Sequence, residues 1–221
     1  MIEENLFGVR MGIPVDVKLV VVSKFQSVES IREAYIAGQR VFGENRPQEL
    51  AAKYEELPKD IEWHMIGHLQ TNKVRLIAPF VSMIQSVDSL RLAETISKEA
   101  ERIGRVVDVL FEVHIADEDS KFGWQPNELE ETIKAGELGR LMGIRVRGLM
   151  GMATFTTNNE QISREFYGLH ELYLRLKKLY LPEMDTLSMG MSDDYAIAIN
   201  NGSNMVRIGS KIFGPRDEGD D

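Results

Sequence analysis

A lysine closes the first apolar run of the sequence. Residues 17–23 read VKLVVVS, apolar on both faces as a strand buried between two layers must be, and Lys24 follows directly. Such a lysine can simply reach from a strand end into solvent. If its stem runs between the walls of a cleft instead, the ammonium loses hydration and the neutral amine can attack an aldehyde. Near the other end, residues 205–209 alternate so that Met205, Arg207 and Gly209 share one face, and Val206 and Ile208 the other. The apolar pair suits a layer of helices, which turns Arg207 inward, where a guanidinium needs a carboxylate or a ligand atom. The stretches SMGMS (188–192) and GS (209–210) combine glycines, which admit close backbone approach, with serine hydroxyls. That is the composition of a phosphate cradle, although ordinary turns and a helix cap at Ser192 would use the same residues. On one rim, the three features would fit a single phosphorylated aldehyde.

The elements that must position them alternate. Strands are expected at 17–23, 40–42, 62–66, 81–87, 106–115, 145–153, 186–191 and 205–213. Helices are expected at 27–37, 47–57, 73–77, 89–103, 126–142, 159–180 and 192–200. Helical spacing is clear at Val28, Ile31, Ala34 and Tyr35, with a stop at Gly38, and Pro126 suits a first helical turn. Eight strand–helix repeats that fill the chain predict an α/β fold, a single (β/α)8 barrel over 1–221, with an open parallel sheet as the alternative. Residues 1–14 and 217–221 are expected to be loose ends. In such a barrel the C-terminal ends of the strands face the active mouth. Here they read Ser23-Lys24, Gly43-Glu44-Asn45, Gly67-His68, Gln85-Ser86, residues 112–114, 150–152 and 188–192, and residues 207–210. The cradle residues then fall after strands seven and eight, where barrels commonly bind phosphate.

Composition removes other classes. A net charge of −9 argues against nucleic-acid binding over a broad basic surface. The absence of cysteine excludes disulfides and thiolate chemistry. No run approaches the ~18 apolar residues of a membrane span, and the acidic start is unlike a signal peptide, so a cytoplasmic location is expected. His64 and His68 are four apart, but they flank a strand end and a glycine, and no third ligand joins them; no metal site is expected.

The chain resembles the pyridoxal phosphate homeostasis proteins. The matching stretches are VVSK (21–24), FGENRPQE (42–49), WHMIGHLQTNK (63–73), SVD (86–88), SKFGW (120–124), RGLMGMAT (147–154), LSMGMSDDYAIAI (187–199) and VRIGSKIFGPR (206–216). They span nearly the whole chain in order, and IGHLQTNK and SMGMSDD are the most specific. The resemblance implies the barrel half of the alanine-racemase fold type, with pyridoxal 5′-phosphate (PLP) held as a Schiff base on Lys24. It also implies phosphate contacts from Ser188, Met189, Gly209 and Ser210, Arg207 beside the pyridine nitrogen, and Asn45 and His68 lining the pocket. PLP-dependent apo-enzymes become the candidate partners, and a monomer or weak dimer the expected state. Two departures stand out: Phe25 follows the lysine where a small polar residue is usual, and the region before the first strand is short for the family's leading helix. Racemases of this barrel type draw an opposing base from a second domain, and the chain stops after strand eight, so a carrier without robust catalysis is expected. A small racemase using Lys24 and His68, or a barrel binding another phosphorylated ligand without a Schiff base, are the competing expectations.

Overall fold

The computed structural model describes residues 1–118 and 122–215. Lys121, part of the SKFGW stretch, and the acidic tail lie outside them. Eight parallel strands close into a barrel in chain order, β1 pairing with β8. They are β1 (Lys18–Val22), β2 (Val41–Glu44), β3 (Glu62–Met65), β4 (Met83–Val87), β5 (Val107–His114), β6 (Ile144–Met152), β7 (Thr186–Ser188) and β8 (Met205–Ile208). Around them lie α1 (Ile2–Met11), α2 (Val28–Ile36), α3 (Pro47–Glu56), α4 (Val74–Ile77), α5 (Leu90–Arg102), α6 (Pro126–Lys134), α7 (Asn159–Leu179), α8 (Tyr195–Asn200) and α9 (Ser210–Phe213).

The two-residue period of the strands separates two cores. Val20, Val41, Met83, Leu110, Met150 and Met205 fill the barrel interior. Their neighbours Val21, Phe42, Ile84, Val109, Leu149 and Val206 belong to the larger core shared with the helices. This is the layering expected when alternate side chains point into and out of a barrel. Helix starts follow local chemistry: the side chains of Ser27, Ser89 and Asn158 accept from the backbone N–H groups of Ser30, Leu92 and Gln161. Pro47 and Pro126 occupy first turns.

Four expectations are corrected. Residues 2–11 are not a loose end but α1. Glu3 and Glu4 lie in its first turn and Arg10 in its last, as the helix dipole favours. Leu6 and Val9 are buried, Arg10 donates to Ala37 O and Gln39 Oε1, and Asn5 Nδ2 donates to Ile212 O. The expected helix over 126–142 stops at Lys134, because Gly136 takes a φ of +75°. The expected strand over 186–191 ends at Ser188. Gly190 turns the chain with a φ of +93°, and a Cβ there would lie 2.8 Å from Tyr195 Cα, so only glycine fits. The expected strand over 205–213 ends at Ile208; Ile212 N–H bonds back to Gly209 O and the chain coils into α9. Among the described residues no helix is long and apolar enough to cross a membrane, and no group of three His, Asp or Glu side chains could hold a metal ion.

Candidate functional site

A cavity of about 530 Å3 opens at the C-terminal ends of the strands. Lys24, Asn45, His68, Arg207, Gly209 and Ser210, six of the eight residues expected from sequence, line it together. Ser188 and Met189 do not. Both are fully buried, and the Met189 N–H donates to Met205 O at 3.1 Å. Because Gly190 bends the chain, the wall beyond β7 is made by Met191, Ser192 and Asp193 instead. Ser188 acts from behind the wall.

Lys24 is held through its neighbours. Ser23 Oγ donates to Glu44 Oε1 at 2.6 Å. Lys53, itself buried, donates to Ser23 O at 2.7 Å, to Glu44 Oε1 at 2.8 Å and to Glu49 Oε1 at 2.6 Å. The same Glu49 oxygen accepts the Phe25 N–H at 2.9 Å. A lysine bridging two glutamates thus fixes the chain on both sides of Lys24. Phe25 takes a φ of +62°, alone among the described non-glycine residues in the left-handed region, a conformation that costs about 1–3 kcal/mol. Its ring lies under the Arg46 guanidinium at 4.8 Å. Burial pushes the Glu44 carboxyl above the usual range, while Lys53 and Ser23 pull against it.

Arg207 enters the cavity floor as the alternation of β8 predicts and is 3% exposed. Its Nη1 donates to Ser188 O at 3.0 Å and Ser188 Oγ at 2.6 Å, and its Nη2 to Gly151 O at 3.1 Å. Burial lowers its pKa to about 10, with Asp194 and Glu112 opposing, so it is a cation at neutral pH. Behind it runs a directional chain. Ser188 Oγ donates to Gln85 Oε1 at 2.6 Å, which leaves the Gln85 Nε2 end as donor to His64 Nδ1 at 2.8 Å. His64 must therefore carry its proton on Nε2. Burial pushes its pKa down to about 3, so it stays neutral. The chain orients Arg207 without adding a second charge to the interior.

On the other side of the cavity His68 Nδ1 lies 3.2 Å from Asp88 Oδ2, and its ring stacks on Phe122 at 3.9 Å. Glu112 of β5 also lines the cavity. Burial, then the charge of Asp88, raise its pKa to about 7 against the pull of Arg207. Sequence reasoning named residues 112–114 as a strand end and gave Glu112 no role. Its signal was an acidic residue flanked by apolar neighbours in the second half of a strand that carries Asp108 in its first half.

An amine at a strand end, an inward cation and a Gly-Ser turn on one rim can hold a phosphorylated aldehyde, and the cavity has room for one. This fold and cavity define a barrel of the alanine-racemase N-terminal type, and that family, described as "Alanine racemase, N-terminal domain", matches residues 1–217. The chain is 42% identical over 206 residues to the pyridoxal phosphate homeostasis protein of Pasteurella multocida, covering 91% of this chain and 87% of that one. It is 40% identical over 211 residues to the one of Escherichia coli K12, covering 92% and 88%. PipY of Synechococcus elongatus PCC7942, solved with PLP bound, superposes with a TM-score of 0.88 at 35% identity, over 97% of this chain and 100% of that one. An alanine racemase of Clostridium difficile 630, at 20% identity and TM-score 0.74, shares the fold over 57% of its own length. The chain belongs to the pyridoxal phosphate homeostasis protein family.

Proposed function

We propose that this protein binds PLP covalently through Lys24 and serves intracellular PLP homeostasis as a carrier, without robust catalysis. The observation that carries the reading is the convergence of Lys24, Arg207, Gly209 and Ser210 on one cavity. The bound cofactor supplies an aldehyde for the lysine amine and a ring that can withdraw electrons. Gly209 and Ser210, with Ser192 joining them in place of Ser188 and Met189, would receive the phosphate. Asn45 and His68 would flank the ring. Arg207, a fixed cation whose donors already serve Ser188 and Gly151, would keep a ring nitrogen beside it unprotonated, which weakens the electron sink. That supports holding over turnover. The recipients would be PLP-dependent apo-enzymes in the cytoplasm, served by a monomer or weak dimer.

Borohydride reduction of the cofactor-loaded protein followed by peptide mass spectrometry should place the modification on Lys24, and Lys24→Ala should abolish both the label and the imine absorption band. Labelling of Lys73, Lys121 or Lys211 in its place would overturn the assignment. Rapid appearance of D-alanine from L-alanine would overturn the carrier reading.

A further inference from the structure

Glu112 stands on β5, four strands around the closed barrel from β1, so it meets the cavity from the side opposite Lys24. It is 7% exposed. Among the described residues, burial and the charges of Asp88 and Arg207 act on its carboxyl, and no hydrogen bond does. Its neighbour Asp88 is engaged, with Oδ2 at His68 Nδ1 and Oδ1 accepting from Ser89 Oγ at 3.1 Å. A largely buried carboxyl that lines a cavity and has no protein donor keeps only part of its hydration, which a ligand's N–H groups would replace. The lip above it is apolar: Phe122, Met152, Phe155 and Met191 line the same cavity and all are exposed, Phe155 at 89%. Large apolar side chains gathered on a cavity mouth mark a surface that a ligand covers.

We propose that this side of the cavity is a receptor for a primary amine bearing an apolar substituent, its ammonium on the Glu112 carboxylate and its substituent against Phe122, Phe155 and Met152. The proposal rests on the reading above, in which the cofactor occupies the Lys24–Arg207–Ser210 side, and names the second ligand of that site. An ammonium is favoured over a neutral donor because it stabilises the ionised carboxylate, and a substituent without charge is favoured because Glu112, Asp88 and Asp193 would repel an anionic one.

The groups facing Glu112 are Asp88 from the end of β4 and Arg207 from β8, with His68, Lys24 and Asp193 elsewhere on the cavity wall. With a Glu112 pKa of about 7, an incoming ammonium must displace a proton at lower pH. Affinity should therefore fall as pH drops below about 7, at most tenfold per unit, and level off above it.

The test uses cofactor-loaded protein reduced with borohydride, so that the lysine linkage cannot exchange, and titrates it calorimetrically with 2-phenylethylamine, ethylamine and phenylacetate between pH 5.5 and 8. The expected result is binding of 2-phenylethylamine, at least tenfold weaker binding of ethylamine and none of phenylacetate. The affinity should rise with pH up to about 7, and Glu112→Gln should weaken it at least tenfold. Unchanged binding by Glu112→Gln, a flat pH dependence, or equal binding of ethylamine overturns the proposal. So does failure of a folded Glu112→Gln protein to take up cofactor, which would make Glu112 a cofactor contact. Should that variant not fold, the exposed Phe155→Ala carries the test: it should weaken 2-phenylethylamine at least threefold and leave ethylamine unaltered, and equal effects on both overturn the proposal. Failure of the underlying reading appears earlier and separately, as the absence of label on Lys24 before any amine is added.

Discussion

Lys53→Met should lower the unfolding free energy by about 3–5 kcal/mol, because removing one partner of a buried ion pair leaves the other charge uncompensated. For a chain of this size that is a fall in Tm of roughly 6–20 °C. The methionine fills a similar volume, so the loss is electrostatic. Glu44, fully buried, and Glu49 lose their shared cation, and the Ser23 carbonyl loses its donor. Protonation relieves such a charge, and the sign follows. A carboxyl whose folded pKa lies above its unfolded one destabilises the fold as pH rises, so the deficit of the variant should be smaller at pH 5 than at pH 7.5. Glu44→Gln in the same chain should restore part of the loss. The loss should also reach Lys24, since Glu49 holds the Phe25 N–H in its strained turn; the folded variant should load less cofactor on Lys24 than the native protein. Thermal unfolding at the two pH values, with labelling of Lys24, checks both parts. A variant as stable as the native chain would mean that the bridge is dispensable.

What sequence conveys about this site follows the reach of each physical rule. Lys24 was legible because a run apolar on both faces can only be an inner strand, and its end is where a barrel exposes chemistry. Arg207 was legible because period two leaves no choice once Val206 and Ile208 face the helices, with Met205 confined to the interior. The resemblance assigns phosphate contacts to Ser188 and Met189; neither lines the cavity, and one backbone angle sets that. With Gly190 at +93° the residues after it, not those before it, meet the cavity. Helix α1 is blurred in the sequence because apolar residues lie all round it: Ile2, Leu6, Val9 and Ile13 pack on the core at helical spacing while Phe7 and Met11 are exposed, and packing against α2 and α9 singles out the buried face. The roles of Glu112 and Lys53 depend on partners from other strands and helices. A carboxylate in a strand and a lysine four residues after a glutamate both have commoner surface explanations, which only closure of the barrel removes.

Arg207→Met should separate the arginine's structural work from its effect on the cofactor. The substitution leaves Ser188 O and Gly151 O without their donor, each at about 1–3 kcal/mol if nothing replaces it. It also relieves the desolvation that holds the arginine's pKa near 10. These oppose, so the stability loss should be smaller than for Lys53→Met. The cofactor should feel more. A charged donor contributes about 1.5–3 kcal/mol per hydrogen bond, so PLP retention should weaken on the order of 10–100-fold. The same change removes the charge that holds the Glu112 pKa down, so that carboxyl should titrate higher than about 7. The midpoint of the pH dependence of amine binding should rise with it. Ser188→Ala, which removes the Arg207 Nη1 contact at 2.6 Å and the donor to Gln85 but keeps the guanidinium, should weaken retention less and leave that midpoint nearly in place, because orientation is loosened while the charge remains. Equilibrium dialysis of cofactor from the two folded variants, with the amine titration repeated on each, gives both quantities. Equal retention by Arg207→Met and the native chain would show that the inward cation of β8 serves packing alone.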